Sequence, residues 1–317
     1  MKFKFFTRHG RRVVASGKKQ HRPLITFKGE EGKRPRQFLI GAGAVVLLLL
    51  LANALRVEPS LMASAEVATV HDNGVLKVGV RTDIPGMSLE GEGLEYALAE
   101  LLGEKILSAD EKWDKRQDAV KFIPVTPMTA SAKLTDGTVD MLFCMMPKGG
   151  SSSFAYSSSY YDDPCRFVFR KGEGQRSVKN ITVGFLQSAS TSGLYVPTGI
   201  YETMVDNYVE AHPDDGLITT YKYNDDTIDL SYASYDELFD ALRDGEVDAI
   251  VLNDLMLNKL DSEGEFDRSE VTLGNISYAA ATSTATPALT SLMDVLLDDL
   301  RDGGTLEALY LRYGLQR

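Results

Sequence analysis

Lys133–Phe143 reads KLTDGTVDMLF, and Ala241–Val251 reads ALRDGEVDAIV. Both run leucine, any residue, Asp-Gly, any residue, Val-Asp and an apolar stretch, and the copies stand 108 residues apart. Stacked solenoid units repeat every 20 to 50 residues or so, so this wider spacing points to two lobes built on one plan. The leucine closes an amphipathic helix, and Asp-Gly supplies the left-handed turn that stops it. The Val-Asp-apolar run then opens a buried parallel strand. Open α/β sheets place ligands beyond the carboxyl ends of such strands, here Cys144–Met146 and Leu252–Asp254. Two such ends facing each other make a cleft.

The net charge of -11 conceals two opposed parts. Residues 1–37 hold twelve Lys/Arg against Glu30 and Glu31, a balance of +10, so the rest of the chain carries -21. That acidic remainder argues against nucleic acid as a partner. Between the two parts, Phe38–Leu55 (FLIGAGAVVLLLLLANAL) carries no charge over 18 residues, the lower limit for a spanning helix and longer than most signal-peptide cores. The basic flank orients everything after Arg56 outside the cytoplasm. Small residues at Ala52–Ala54 and Ala63–Ala65 would each suit a signal peptidase, but the long run and extended leader favour an uncleaved single-pass anchor. Cleavage would give a secreted protein.

The reading along the chain is a basic cytoplasmic leader (1–37), the anchor (38–55), a tether (56–73), a first lobe (74–165), a second lobe (166–265) and a return to the first (266–317). Strands are expected at Val75–Arg81, Val120–Val125, Arg166–Arg170, Ile181–Leu186, Leu217–Tyr223 and Val271–Ala279. Helices are expected at Gly91–Leu107, Tyr235–Arg243, Pro287–Leu300 and Thr305–Tyr313. On this plan the two repeat strands lie in separate sheets. Cys144 and Cys165 both fall in the exported part, where an oxidising compartment permits a bridge. Two small buried apolar residues are the other reading, and both stay open.

These residues resemble the extracellular solute-binding proteins of family 3, the amino-acid-type periplasmic binding proteins of the type II fold. The resemblance runs from about Gly74 to Gly314. It rests on VLKVGVRTDIP at the first strand, both Asp-Gly-x-Val-Asp runs, YSSSYY at Tyr156–Tyr161 in place of Phe-Ser-x-x-Tyr, and LRDGGTLEALYLRYG near the end. It implies a Venus-flytrap receptor that closes on a small ligand and hands it to an ABC permease. It also implies an arginine for the ligand carboxylate six residues before the Phe-Ser aromatic, where this chain has Gly150. Lys148 is the nearest cation, a point charge without the planar fork. The carboxylate that the family sets against the ligand ammonium is replaced by Asn253, with Asp254 beside it. The aromatic lid after the first strand is absent. These departures imply a pocket that has moved away from free α-amino acids or that no longer binds small molecules at all.

The candidate ligand-binding residues are therefore Asp83, Met145, Lys148, Ser188, Ser190, Asn253 and Asp254. Each has a plainer reading. Asp83 suits a turn before Pro85, Met145 suits core, and Asn253 and Asp254 suit a helix cap. Ser188–Ser192 (SASTS) reads equally as an anion seat at a helix start or as ordinary capping. The four histidines are scattered and there is no nucleophile elbow, P-loop or dinucleotide fingerprint, so no enzyme, cofactor or metal is expected. The sequence points to a membrane-tethered extracytoplasmic receptor for a small polar ligand, in transport or sensing. The alternatives are a degenerate scaffold for protein-protein contact at the cell envelope and, least favoured, a dehydratase-like enzyme on the same fold.

Overall fold

In the computed structural model, which describes residues 61–107, 119–187, 199–223 and 226–315, each copy of the repeat closes a helix and opens a strand. Helix α3 (Pro127–Thr135) ends at Asp136-Gly137 and α5 (Tyr235–Asp244) at Gly245. Both glycines take left-handed backbone, φ 75° and 77°, which side-chain-bearing residues rarely adopt. Strands β5 (Met141–Pro147) and β11 (Ala249–Asn253) follow, buried along their whole length.

The repeated aspartate does the same work twice. The Asp140 carboxylate accepts from the amide of Lys77 at 2.8 Å, and its own amide donates to the Lys77 carbonyl at 2.8 Å. Asp248 accepts from the amide of Thr182 at 2.9 Å and donates to the Thr182 carbonyl at 3.0 Å. A cation completes each site: Lys77 lies 3.3 Å from Asp140, and Arg176 lies 2.9 Å from Asp248. The residue therefore pins the start of each lobe's third parallel strand to the start of its first, β1 (Leu76–Val80) or β7 (Val183–Leu186).

In the first lobe β4 (Val120–Pro124), β1 and β5 run parallel in that order. In the second, β10 (Ser231–Tyr232), β7 and β11 repeat the arrangement. The long strands β6 (Phe154–Arg170) and β12 (Phe266–Ser283) join them: β12 runs antiparallel beside β5 and β6 antiparallel beside β11. Because β6 and β12 also pair with each other, the ladder is continuous, β10-β7-β11-β6-β12-β5-β1-β4. The expected separation into two unconnected sheets is corrected accordingly. The crossovers are extended strands that carry pairing through the hinge, and register shifts between Arg268 and Ala281 bend the pair there.

Helices cover the ladder. α2 (Leu94–Leu107) packs against β1 and β5, α4 (Ile200–Ala211) against β7 and β12, α6 (Asp254–Leu260) against β6 and β11, and α7 (Ala288–Asp302) against β6. The chain ends in α8 (Thr305–Arg312). Two local expectations change. The strand expected at Leu217–Tyr223 is an antiparallel hairpin, β8 (Thr220–Tyr223) with β9 (Asp226–Asp229), so only Ile218 makes a parallel bridge, to Thr182. The end of the expected tether is a helix, α1 (Ala65–Asn73), capped by the Ser64 hydroxyl, with Val67 and Val70 buried at helical spacing. Short elements β2 (Asp83–Ile84) and β3 (Ser88–Leu89) form a hairpin after β1.

Among the described residues no helix is long and apolar enough to cross a membrane. The anchor expected at Phe38–Leu55 lies outside them.

Candidate functional site

The carboxyl ends of β1 and β4 open into a cavity of about 670 Å³, within the range of small-molecule sites. The first lobe contributes Arg81, Thr82 and Asp83, which follow β1, and Val125–Met128 at the start of α3. The second contributes Ser234–Asp236 at the start of α5, and Lys259 and Leu260 at the end of α6. The cavity thus has walls from both lobes.

An ion triad dominates its chemistry. Arg81, only 3% exposed, forks onto Asp83: Nε donates to one carboxylate oxygen at 2.8 Å and an Nη to the other at 2.7 Å. Lys259 reaches across from the second lobe and donates to the same carboxylate. Burial would raise the Asp83 pKa, but the hydrogen bonds and charges of Arg81 and Lys259 outweigh it and hold the carboxyl down at about 2. Asp83 therefore stays ionised and ties the lobes together.

Within the first lobe, close enough to Arg81 to feel its charge, Glu95 is fully buried in the first turn of α2. One carboxyl oxygen accepts from the Met145 amide at 2.6 Å and from the Tyr160 hydroxyl. Burial pushes its pKa up, opposed by those two hydrogen bonds and by the Arg81 charge. Met145 sits at φ 55° near the end of β5, an uncommon conformation for a non-glycine residue. Glu95 fixes that amide in place.

The hinge holds a second buried network. The Asn253 amide donates to Asp163 and accepts from the Tyr201 hydroxyl. The other Asp163 oxygen accepts from the Leu255 amide at 3.3 Å, in the first turn of α6. Asp254 is paired with Arg166 and Arg268, each at 3.3 Å. Burial raises the Asp163 pKa to about 7, opposed by Asn253 and Leu255 and reinforced by the Asp254 charge.

Of the residues singled out from sequence, Asp83 lines the cavity. Met145 is buried and Lys148 is exposed outside the cavity. Asn253 and Asp254 are consumed by the hinge, so neither lines the cavity. Asn253 does occupy the cap position of α6, but its side chain makes no capping bond and Asp163 supplies one instead. Ser188 and Ser190 lie outside the described residues. Cys144 and Cys165 are free and buried. Cys144 is on β5 and Cys165 on β6, with β12 between them, and two ladder steps of about 4.8 Å exceed the reach of a disulfide. The apolar reading of the cysteines is the one the structure contains.

Sequence reasoning missed Arg81, Lys259 and the Ser234–Tyr235 wall. Arg81 had a usable signal, since it is the first residue beyond β1. Lys259 had none, because only the fold brings α6 opposite β2. A second cavity of about 610 Å³ lies elsewhere, lined by Asn73, Thr135, Gly137, Asp140, Ser283 and Thr286. It surrounds the amino end of β5, the opposite end from that where such sheets place ligands.

No family model matches the chain. The ABC transporter glutamine-binding protein GlnH of Bacillus subtilis is 21% identical over 256 residues, covering 78% of this chain and 84% of that protein. A probable amino-acid ABC transporter extracellular-binding protein, ytmK of B. subtilis, superposes with a TM-score of 0.54 at 15% identity, covering 75% of this chain and 97% of that one. The amino-acid ABC transporter substrate-binding protein AbpA of Streptococcus pneumoniae, bound to L-arginine, gives a TM-score of 0.50 at 16% identity, covering 79% and 100%. The fold is that of the two-lobed periplasmic binding proteins, and the resemblance to the amino-acid type extends over most of the described chain.

Proposed function

We propose that the chain is an extracytoplasmic solute-binding receptor that closes two lobes on a small polar solute in the Arg81–Lys259 cavity and serves an ABC importer or a sensor. The observation that carries this reading is the cavity itself, walled by both lobes at the carboxyl ends of β1 and β4. Relatives named for binding glutamine or found with arginine support it. Binding, not catalysis, suits a cavity lined by an arginine, a lysine, two aspartates and hydroxyls. The lobes are taken as residues 74–165 with 266–317, and 166–265, and Phe38–Leu55 as the membrane anchor. Cleavage after Ala65 would remove Ser64, the cap of α1, so a processing site there is disfavoured.

The solute is expected to differ from a free α-amino acid. Asn253 is spent on Asp163, and Asp254 on two arginines, so neither offers the ammonium group a free carboxylate. The scaffold reading draws on one observation, the Asp83–Lys259 tie that bridges the lobes.

A thermal-shift screen of the purified full chain against amino acids, peptides, sugars and organic anions separates the two. A true ligand at a hundred times its Kd should stabilise by about 2.7 kcal/mol, a rise of roughly 5 to 10 °C for a domain of this size. Glutamine and arginine should shift the melting temperature little. A screen in which no compound stabilises the chain would leave the scaffold reading standing.

A further inference from the structure

Asp83 occupies the cavity in the way a bound carboxylate would. Its two oxygens take the two donors of the Arg81 fork at 2.8 and 2.7 Å, the planar geometry that selects carboxylates. Lys259 closes on the same group from the other lobe. Arg81 is 3% exposed, whereas the Asp83 side chain is 47% exposed. The cation is built into the wall, and its partner is the member of the pair that faces solvent. Asp83 sits on a two-residue strand at the cavity rim, so a rotation into water would uncover both cations. The starts of α3 and α5 border the same space and add positive field there. Asp236 is the other carboxylate on the lining.

We infer that Arg81 and Lys259 form a carboxylate-binding subsite, that Asp83 is its tethered occupant in the absence of solute, and that the solute class is small molecules bearing a carboxylate. The incoming carboxylate takes the Arg81 fork, Asp83 turns out to solvent, and Lys259 transfers to the newcomer. The bridge between the lobes is kept while its central anion is exchanged. Competition from Asp83 raises the concentration at which the receptor fills. The inference relies on the receptor reading for its purpose, not for its chemistry.

Acetate is the Asp83 side chain in free form and is therefore the probe. In the full chain carrying Asp83→Ala, acetate should raise the melting temperature saturably over chloride at equal ionic strength. It should bind about tenfold or more tighter than to the unsubstituted chain, where Asp83 competes. Acetamide, which lacks the charge, should have no effect, phosphate should be weaker than acetate, and Arg81→Gln added to Asp83→Ala should abolish the response. If Asp83→Ala does not fold, Asp83→Asn carries the same comparison, because an amide competes weakly for two cations. Equal acetate responses in the variant and the unsubstituted chain, an acetamide response as large as that of acetate, stronger binding of phosphate, or survival of the effect without Arg81 would each overturn the inference. A positive rescue beside an empty solute screen would retain the subsite and remove the receptor; the reverse result would retain the receptor and place its solute elsewhere in the cavity.

Discussion

Glu95→Ala should lower the stability of the folded chain by about 3 to 5 kcal/mol, the sum of two buried donors left unpaired and a small cavity. The Met145 amide and the Tyr160 hydroxyl both donate to the lost carboxyl, and Glu95 and Tyr160 are fully buried. The left-handed Met145 would also lose the contact that fixes it, so the end of β5 should loosen. Urea unfolding of the two chains measures the difference. Glu95→Gln keeps the accepting oxygen without a charge, and since burial already favours the neutral carboxyl, it should cost no more than about 1 kcal/mol. Equal losses in the two variants would mean that packing, and not hydrogen bonding, sets the role of this residue.

The hinge should make stability fall as pH rises. Burial raises Asp163 to about 7 in the folded chain, from the ordinary aspartate value of about 4. Between those values the folded state holds a proton that the unfolded state has released. Its contribution is therefore complete below about pH 4 and lost as pH climbs through 7. At 1.36 kcal/mol per unit the loss amounts to about 4 kcal/mol. Glu95 is shifted in the same direction, so the difference between chains isolates Asp163. The groups around it are Asn253 and Asp254 from β11 and α6, Tyr278 and Arg268 from β12, and Arg166 and Tyr161 from β6. In Asp163→Asn the neighbouring Asn253 amide can turn over and keep the network paired with no titrating group. Urea midpoints at pH 5.5 and 8 should differ clearly in the unsubstituted chain and much less in the variant. A variant with the same pH slope would assign the titration elsewhere.

The repeat carried most of the fold because its chemistry is local. An amphipathic helix, a left-handed Asp-Gly stop and a buried strand are each set by neighbouring residues, and both copies fold as written. The function of the repeated aspartate was not legible in that way, since its partners Lys77 and Thr182 lie more than sixty residues upstream. The hinge was misread for a related reason. β6 and β12 are irregular in sequence, with YSSSYYDDPC in one and a glycine in the other, yet they pair from Phe154 to Arg170 across several register shifts because each has another long strand as partner.

The site was less legible than the fold. Asp83 could be set beside the cavity from sequence because it lies at the end of a recognisable strand. Asn253 and Asp254 also lie at a strand end, but the hinge tyrosines and arginines that claim them come from α4, β6 and β12. A position relative to a strand tells which residues are near a cleft. It does not tell which polar groups have already been satisfied.

Hydrogen exchange on the full chain with a stabilising solute bound tests the receptor reading most directly. Slowed exchange is expected on both walls at once, at Thr82–Ile84 and Thr126–Thr129 of the first lobe and at Tyr235–Leu238 and Lys259–Leu260 of the second, with Asn73 and Thr135–Asp140 around the other cavity unchanged. Protection confined to one lobe, or centred on Asn73 and Asp140, would show that the solute does not bind between the lobes.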